Sequence, residues 1–362
     1  MKILIIRPMA NEINIDSYNC QEIGMAKGFI DNGVNCDVLF YSQSNSEKYI
    51  IYNGSKITIY YRKAKKLFGI HGIFEDIDSL IARYDFLQLN EVTQIQNLIF
   101  LRRYHNKVYF YHGPYKNKYD SKKHKAFDFV LNRYINFIND KYKQSVHVFT
   151  KSTLAADYTN KLGFNSTVIG VGLDTLKLAT PMLNSVNNKK LLYIGKLEER
   201  RNILFLINVI SKLVTIDGDY HLTIIGSGSE KYTKKVINEI VDKHLDNYIS
   251  IIPKVEQTSI HRFYDTSQIF LLPTKYEIFG MVMLESLYFG VPVITTLNGG
   301  SSVLNKGIYI CNFEISEWVD TILKISNEKT INREQLHRYI ESDYEWKKIV
   351  RPILSALSTK NR

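Results

Sequence analysis

Four sets of residues in this chain have types and spacing suited to chemistry on a phosphorylated ligand. Glu277 and Glu285 flank a loop-to-helix transition in the stretch Pro273-Thr-Lys-Tyr-Glu277-Ile-Phe279-Gly280-Met281-Val-Met-Leu-Glu285-Ser-Leu-Tyr-Phe-Gly290-Val-Pro292. The apolar run Ile269 to Leu272 predicts a buried parallel strand before it, Gly290 takes a helix C′ position, and Pro292 forbids further helix. A helix N-terminus near Gly280 aims free N–H groups and a positive dipole end at an anion such as pyrophosphate. Carboxylates repel that anion; their use is to accept hydrogen bonds from hydroxyls. The ligand implied has an anionic centre with hydroxyl-rich groups on both sides, as a nucleotide sugar has. Two exposed glutamates by themselves would be solvated surface; the residues around them argue for more.

Lys196 and Arg201 form the second set. Lys196 follows the strand predicted over Lys190 to Ile194, and Arg201 precedes Asn202, a good N-cap. After it Ile203, Leu206, Ile207, Ile210, Leu213 and Val214 trace one face of a helix. Both cations are therefore placed to converge on one anion. Third, the predicted strand Lys107 to Tyr111 ends in His112-Gly113-Pro114, where ligands bind in parallel sheets; a lone histidine is otherwise more often structural. Fourth, Gly226-Ser-Gly228 follows the predicted strand Tyr220 to Ile225, a pattern that is often only a tight turn.

The elements that must hold these residues alternate strand and helix through the chain. Strands are predicted at Lys2–Arg7, Cys36–Tyr41, Asp85–Leu89, Val146–Thr150, Tyr248–Ile252 and Val293–Thr296, and helices at Gln21–Asn32 and Thr93–Arg103. That alternation implies parallel α/β sheets. Leu176 to Lys190 is polar, contains Pro181 and reads as a linker. Tyr344-Glu-Trp346 opens a terminal helix in which Trp346 reads as a packing anchor. The expected organisation is a first domain over 1–175, a linker over 176–189, a second domain over 190–342 and a terminal helix over 343–362.

With 362 residues the chain is long enough for two cores, and its 45% hydrophobic and 23% charged content is ordinary for a globular protein. A net charge of +11 favours anionic partners. Cys20, Cys36 and Cys311 form no Cys-x-x-Cys pair, which argues against a disulfide framework or zinc site and fits a reducing cytoplasm. The run Ile3 to Ile6 is too short for a signal-peptide core, and no apolar run approaches about 20 residues, so an integral membrane protein is not expected. Asp76-Ile-Asp78 reads as a helix start and Asp217-Gly-Asp219 as a turn, so no metal site is expected at either. Lys116 to Lys125 is basic, and Phe127, Val130, Leu131, Tyr134, Phe137 and Ile138 then recur at helical spacing toward Lys143. Two readings stand: a core-packing helix with solvated lysines, or a peripheral contact with an anionic membrane surface.

The arrangement from Pro273 to Pro292, two glutamates separated by seven residues with Phe279-Gly280 between them, resembles the signature of the retaining glycosyltransferases of family 4, the group 1 glycosyltransferases with the GT-B fold. The likeness covers nearly the whole chain and is densest from Lys190 to Gly300. It implies two Rossmann-like, doubly wound parallel-sheet domains facing a central cleft, the acceptor on the first and the donor on the second. Residue by residue it assigns Glu277 to the donor sugar and Glu285 to the ribose. Lys196 and Arg201 fall to the diphosphate, in an order swapped from the usual Arg-then-Lys. Gly226, Phe279, Gly280 and Met281 fall to the donor cleft, and His112 to the bond being transferred. The family's Gly-Gly pair after the first strand is replaced here by Asp16-Ser17-Tyr18-Asn19, which puts Asp16, Ser17 and Asn19 on the acceptor-side loop. The activity implied is transfer of a sugar, with retention, from a nucleotide-diphosphate sugar to a hydroxyl of a glycan or lipid-linked acceptor, in surface polysaccharide or glycoconjugate synthesis. No cofactor, metal or nucleic acid is implied. The rivals are a GT-B nucleotide-sugar epimerase, which product analysis separates, and a non-catalytic polyanion or membrane binder, whose salt-sensitive binding survives Glu277→Ala.

Overall fold

The computed structural model describes residues 1–15, 20–117, 122–138, 140–184, 186, 189–327 and 332–360, with backbone alone for 122–128 and 360. The chain folds as two units, Met1–Asp174 with Tyr344–Arg362, and Thr175–Asp343.

The first unit carries β1 (Lys2–Arg7), β2 (Asn35–Ser42), β3 (Ser46–Tyr52), β4 (Ser55–Leu67), β5 (His71–Phe74), β6 (Phe86–Asn90), β7 (Val108–His112), β8 (His147–Thr150) and β9 (Asn165–Val168). Its sheet runs β3-β4-β2-β1-β6-β7-β8-β9, with β5 paired to β4. Ile3, Leu4, Ile5 and Ile6 of β1 are fully buried, as a central parallel strand covered on both faces requires. The chain order reverses between β1 and β6, which makes a topological switch point where their carboxyl ends diverge.

The antiparallel pairings of β3 with β4 and of β4 with β5 were not foreseen in the sequence. The first turns at Asn53-Gly54, both with positive φ (48° and 74°), the backbone that a two-residue hairpin turn needs. Two expected helices are each broken. The stretch expected over Phe127 to Lys143 is a helix Lys122–Phe137 followed by Asp140–Gln144; the first closes with a tightened bond from Ile138 N–H to the Ile135 carbonyl (3.1 Å). The terminal helix divides into Trp346–Ile349 and Arg351–Lys360, because Pro352 has no N–H to continue the ladder and is tolerated only in a first turn. Trp346 is buried. A side chain at Gly24 or Gly172 would overlap its indole ring, so those glycines make the space it fills.

The second unit carries β10 (Lys190–Ile194), β11 (His221–Ile225), β12 (Ile249–Ile252), β13 (Ile269–Leu272), β14 (Val293–Thr295) and β15 (Ile308–Ile310). All pairs are parallel, in the order β12-β11-β10-β13-β14-β15. Counted within the unit this is 3-2-1-4-5-6, the dinucleotide-binding order, with its switch point between β10 and β13. Residues 176–189, read from sequence as a linker, fall in this unit; Met182 N–H donates to Asp265 Oδ1 (3.0 Å) and Lys189 N–H to Gln268 Oε1 (3.1 Å). Arg333 is buried and donates to the carbonyls of Tyr264 (3.1 Å) and Phe289 (2.8 Å), tying the ends of two helices together.

Candidate active site

The second unit brings its candidate residues to the carboxyl ends of β10 and β13, on either side of the switch point. After β10 the chain runs beside the turn that follows β11. Leu197 N–H donates to the Ser227 carbonyl (3.0 Å), and a Cβ at Gly226 or Gly228 would overlap the carbonyl oxygen of Gly195 or Leu197. Gly226-Ser-Gly228 is thus more than a turn: it lets two backbones touch, and so fixes the path that carries Lys196. Lys196 itself is exposed, and no carboxylate among the described residues is within ion-pair distance of it.

Arg201 follows in a short 3₁₀ turn, Glu199–Arg201. Asn202 stands at the N-cap position of helix Ile203–Ile216, but it differs from the expected cap. Its backbone is left-handed (φ 52°, ψ 43°) and its side chain makes no cap bond. The chain must reverse there between the 3₁₀ turn and the helix, and Asn tolerates that conformation. Arg201 Nη1 is ion-paired with Glu277 Oε2, and Arg200 Nη1 reaches the same oxygen at 3.2 Å. Arg200 also donates to the Tyr276 carbonyl (2.6 Å) and pairs with Glu198 (2.6 Å). Arg200 was not singled out in the sequence; the adjacent Arg in Glu-Glu-Arg-Arg was its only signal. Arg201 Nε is buried with no hydrogen-bond partner among the described residues, a condition costing about 1–3 kcal/mol.

Glu277 sits in a loop held from behind. Gly299 N–H donates to the Glu277 carbonyl (3.0 Å), and a Cβ at Gly299 or Gly300 would overlap the carbonyl oxygen of Ile278 or Phe279. The turn behind is organised by Asn298, fully buried, whose Oδ1 accepts from Gly300 N–H (3.0 Å) and Ser301 N–H (3.2 Å). Its Nδ2 donates to the Thr296 carbonyl (2.8 Å). Every polar atom of that amide is committed to holding the Gly299-Gly300 turn in shape.

Gly280 takes a left-handed conformation (φ 81°) and starts helix Met281–Tyr288. Its carbonyl accepts the first helical bond, from Met283 N–H (2.9 Å). Met281 is half-buried at that N-terminus, while the Phe279 side chain is in the core, so Phe279 offers the site its backbone alone. Glu285 lies on the buried face of the same helix, 1% exposed, where Tyr264 Oη donates to it at 3.4 Å.

The first unit places His112 at the carboxyl end of β7, wholly buried. Its Nδ1 lies 2.8 Å from Glu91 Oε2, its ring stacks on Tyr158 at 5.8 Å, and its Nε2 is buried with no partner among the described residues. Glu91 follows β6 and is held by three groups: His112, the Gly113 N–H (3.0 Å) and Lys151 Nζ (3.3 Å). Burial by itself raises its pKa, but Lys151, His112 and the Gly113 N–H outweigh that and bring it down to about 2. Glu91 also has a left-handed backbone (φ 71°), a strained state for a non-glycine residue. Glu91 and Lys151 were missed in the sequence, since neither belongs to a motif and the two come from different strand ends.

Asp16, Ser17 and Asn19 lie outside the described residues, as do Lys118 and the side chains of 122–128. Of the two Asp-x-Asp tripeptides, Asp217 and Asp219 pair with Lys189 (2.7 and 3.0 Å), and Asp78 pairs with Arg103 (2.7 Å). Among the described residues no group of three or more His, Cys, Asp or Glu side chains is placed to hold a metal ion, and no helix is long and apolar enough to cross a membrane.

Comparison with known proteins matches residues 181–346 to the family model of glycosyl transferases group 1. An uncharacterized glycosyltransferase from Haemophilus influenzae is 27% identical over 127 residues, 35% of this chain and 35% of that protein. An N-acetyl-alpha-D-glucosaminyl L-malate synthase from Bacillus anthracis is 27% identical over 165 residues, 44% of this chain and 42% of that protein. The alignments thus span less than half of either curated relative. Likeness in structure extends over the whole chain. Sucrose-phosphate synthase from Thermosynechococcus elongatus superposes with a TM-score of 0.72 at 14% identity, covering 99% of this chain and 98% of that one. HepE from Anabaena in complex with UDP-glucose superposes with a TM-score of 0.66 at 14% identity, covering 99% and 100%. With two parallel sheets of this order, and with residues 181–346, the unit that carries Glu277 and Arg201, matching the group 1 glycosyl transferases, the chain has the GT-B fold.

Proposed function

We propose that this protein moves a sugar from a nucleotide-diphosphate sugar to a hydroxyl of a glycan or lipid-linked acceptor, with retention of anomeric configuration and without a metal or other cofactor. The observation that carries the reading is the meeting of Glu277 with Arg200 and Arg201 beside the N-terminus of helix Met281–Tyr288, at the switch point of a parallel sheet. In it Glu277 accepts from hydroxyls of the donor sugar, Glu285 serves the ribose, and Gly226, Phe279, Gly280 and Met281 line the donor. Lys196, Arg201 and the backbone N–H groups at the helix start stabilise the charge that gathers on the departing diphosphate. Arg201, held by Glu277 before the donor arrives, has little side-chain entropy left to lose. His112, with Asp16, Ser17 and Asn19, serves the acceptor side, and the departing phosphate takes the acceptor's proton on the same face. The UDP and UDP-glucose in the HepE structures favour a UDP-sugar donor.

Nucleotide release from UDP-, GDP- and ADP-sugars with chelator present tests this. One nucleoside diphosphate should be released by the wild type, and Glu277→Ala and Arg201→Ala should each lower the rate on the order of 10²- to 10³-fold. Absence of turnover together with no shift of melting temperature by any donor would sink the reading, because the donor unit should bind alone.

The acceptor side carries an apolar surface. Of helix Lys122–Phe137, Leu131 and Ile135 join the core, but Phe129, Val130 and Phe137 are 66%, 67% and 78% exposed. A shallow cavity of about 320 Å³ beside the helix is lined by Ile99, Arg102, Arg103, Tyr134 and Tyr142. Apolar residues beside arginines support a cytoplasmic protein seated peripherally on the anionic inner face of the membrane, where polysaccharide is built on lipid carriers. Phe137→Ser should weaken co-sedimentation with anionic vesicles several-fold; equal binding by both forms overturns this contact.

A further inference from the structure

His112 is held in a way that its place at a strand end does not require. With the Glu91 carboxylate ionised, a 2.8 Å approach of Nδ1 is attractive only if a proton lies between them. The Val92 N–H also faces Nδ1, at 3.3 Å; this longer contact is the weaker of the two, and a bare Nδ1 would set its lone pair against a carboxylate. In a neutral imidazole with its proton on Nδ1 the lone pair lies on Nε2, which has no hydrogen-bond partner among the described residues. Lys151 balances the Glu91 charge. Without it, the carboxylate would draw a second proton onto the imidazole and the lone pair would be lost.

We propose that Glu91, charge-balanced by Lys151, is a positioning residue that fixes His112 as its Nδ1–H tautomer and so keeps Nε2 as the hydrogen-bond acceptor for a sugar hydroxyl. The inference rests on the transferase reading for its substrate, and on the geometry alone for its tautomer. The hydroxyl class follows from what Nε2 can take: a single neutral O–H donor, since an anion would meet the lone pair and a phosphate has no proton to offer it. Among the described residues, Glu91 after β6 and Tyr158, stacked on the ring from helix Thr153–Lys161, face the imidazole, Lys151 after β8 pairs with Glu91, and Tyr111 is the neighbour of His112 on β7. The hydroxyl of Tyr111 is spent on the Gly170 carbonyl (2.8 Å), and Lys151 lies 5.0 Å from the Tyr111 ring centre. Tyr158 donates to Asn132 (2.9 Å). Among these groups, charge reaches the imidazole from Glu91 and Lys151.

Two measurements on the full chain test it. The first needs no substrate: nitrogen NMR of the chain labelled at histidine, assigned with His112→Gln, should show His112 as the Nδ1–H form at pH 7, and Glu91→Gln should lose that preference. An Nε2–H form in the wild type overturns the proposal whether or not the chain transfers sugar. The second is the pH profile of kcat/KM for transfer. Glu91→Gln should lower it on the order of 100-fold and move its acid limb to lower pH, while Lys151→Met should move that limb to higher pH. Donor-induced melting shifts should stay in both variants. Limbs that do not move, or that move the same way, show a merely structural role and overturn the proposal. If Glu91→Gln does not fold, the Lys151→Met limb and the wild-type tautomer decide it.

Discussion

Both units share one plan, a parallel sheet whose order reverses once, yet they furnish their switch points by different means. In the second unit the site is made of backbone. Gly226 and Gly228 admit the loop after β10, and Gly299 and Gly300 admit the loop that carries Glu277. In the first unit it is made of side chains. Glu91, His112 and Lys151 come from the ends of β6, β7 and β8 and meet as a buried ion pair with an imidazole beside it. A backbone contact closer than any Cβ allows dictates glycine at a fixed offset, so it leaves a local pattern. A charge cluster assembled across strands constrains three distant positions only through complementarity, and leaves none.

The contrast is sharpest in acid. The folded pKa of Glu91, about 2, lies below the roughly 4.3 of an unfolded glutamate. A depressed carboxylate stabilises the fold fully above the unfolded pKa and loses that contribution as pH falls through the folded one. The window is therefore about pH 5 down to 2, and a shift of this size is on the order of 3 kcal/mol for a side chain only 11% exposed. The urea midpoint of the wild type should fall between pH 5 and 3, with a shallower fall in Glu91→Gln. Equal slopes would mean that Glu91 is not held as the geometry has it, and the distinction between the units would lose its electrostatic half.

What could be read beforehand divides along the same line. The alternation of buried strands and amphipathic helices was legible because parallel strands are continuous apolar runs and helix faces repeat, as Ile203 to Val214 does. Glu277, Gly280 and Gly290 could be placed because their types are set by neighbours in the chain. Asn53-Gly54 was legible in principle, being a hairpin turn pair, but the strands beside it are largely solvated and lack an apolar run to flag them. Asn202 was recognised as a helix start for the wrong reason: a capping side chain was expected, and a left-handed backbone does the work. The break before Arg351 was written in Pro352. That Phe137 faces solvent was not, since periodicity shows that a helix has an apolar face without showing what covers it.

A smaller effect probes the backbone half of the comparison. Gly299 has no unusual φ, so its replacement tests close approach alone. Gly299→Ala would drive a methyl into the Ile278 carbonyl, and because that atom belongs to the loop bearing Glu277, relief requires the loop to move. The expected cost is about 1–3 kcal/mol, as for other overpacked sites, and the displacement of Glu277 should diminish the melting shift given by a nucleotide donor. Gly218→Ala is the matched control. The nearest atom its Cβ would meet is the Tyr248 hydroxyl at 3.9 Å, and its φ also lies outside the glycine-favouring range. It should be neutral or stabilise by up to about 1 kcal/mol through the unfolded state, with the donor-induced shift intact. If the two alanines behave alike, the loop yields to a methyl without consequence, and Glu277 is positioned by its arginine partners rather than by the turn behind it. In that case the second unit, like the first, would owe its site to paired charges.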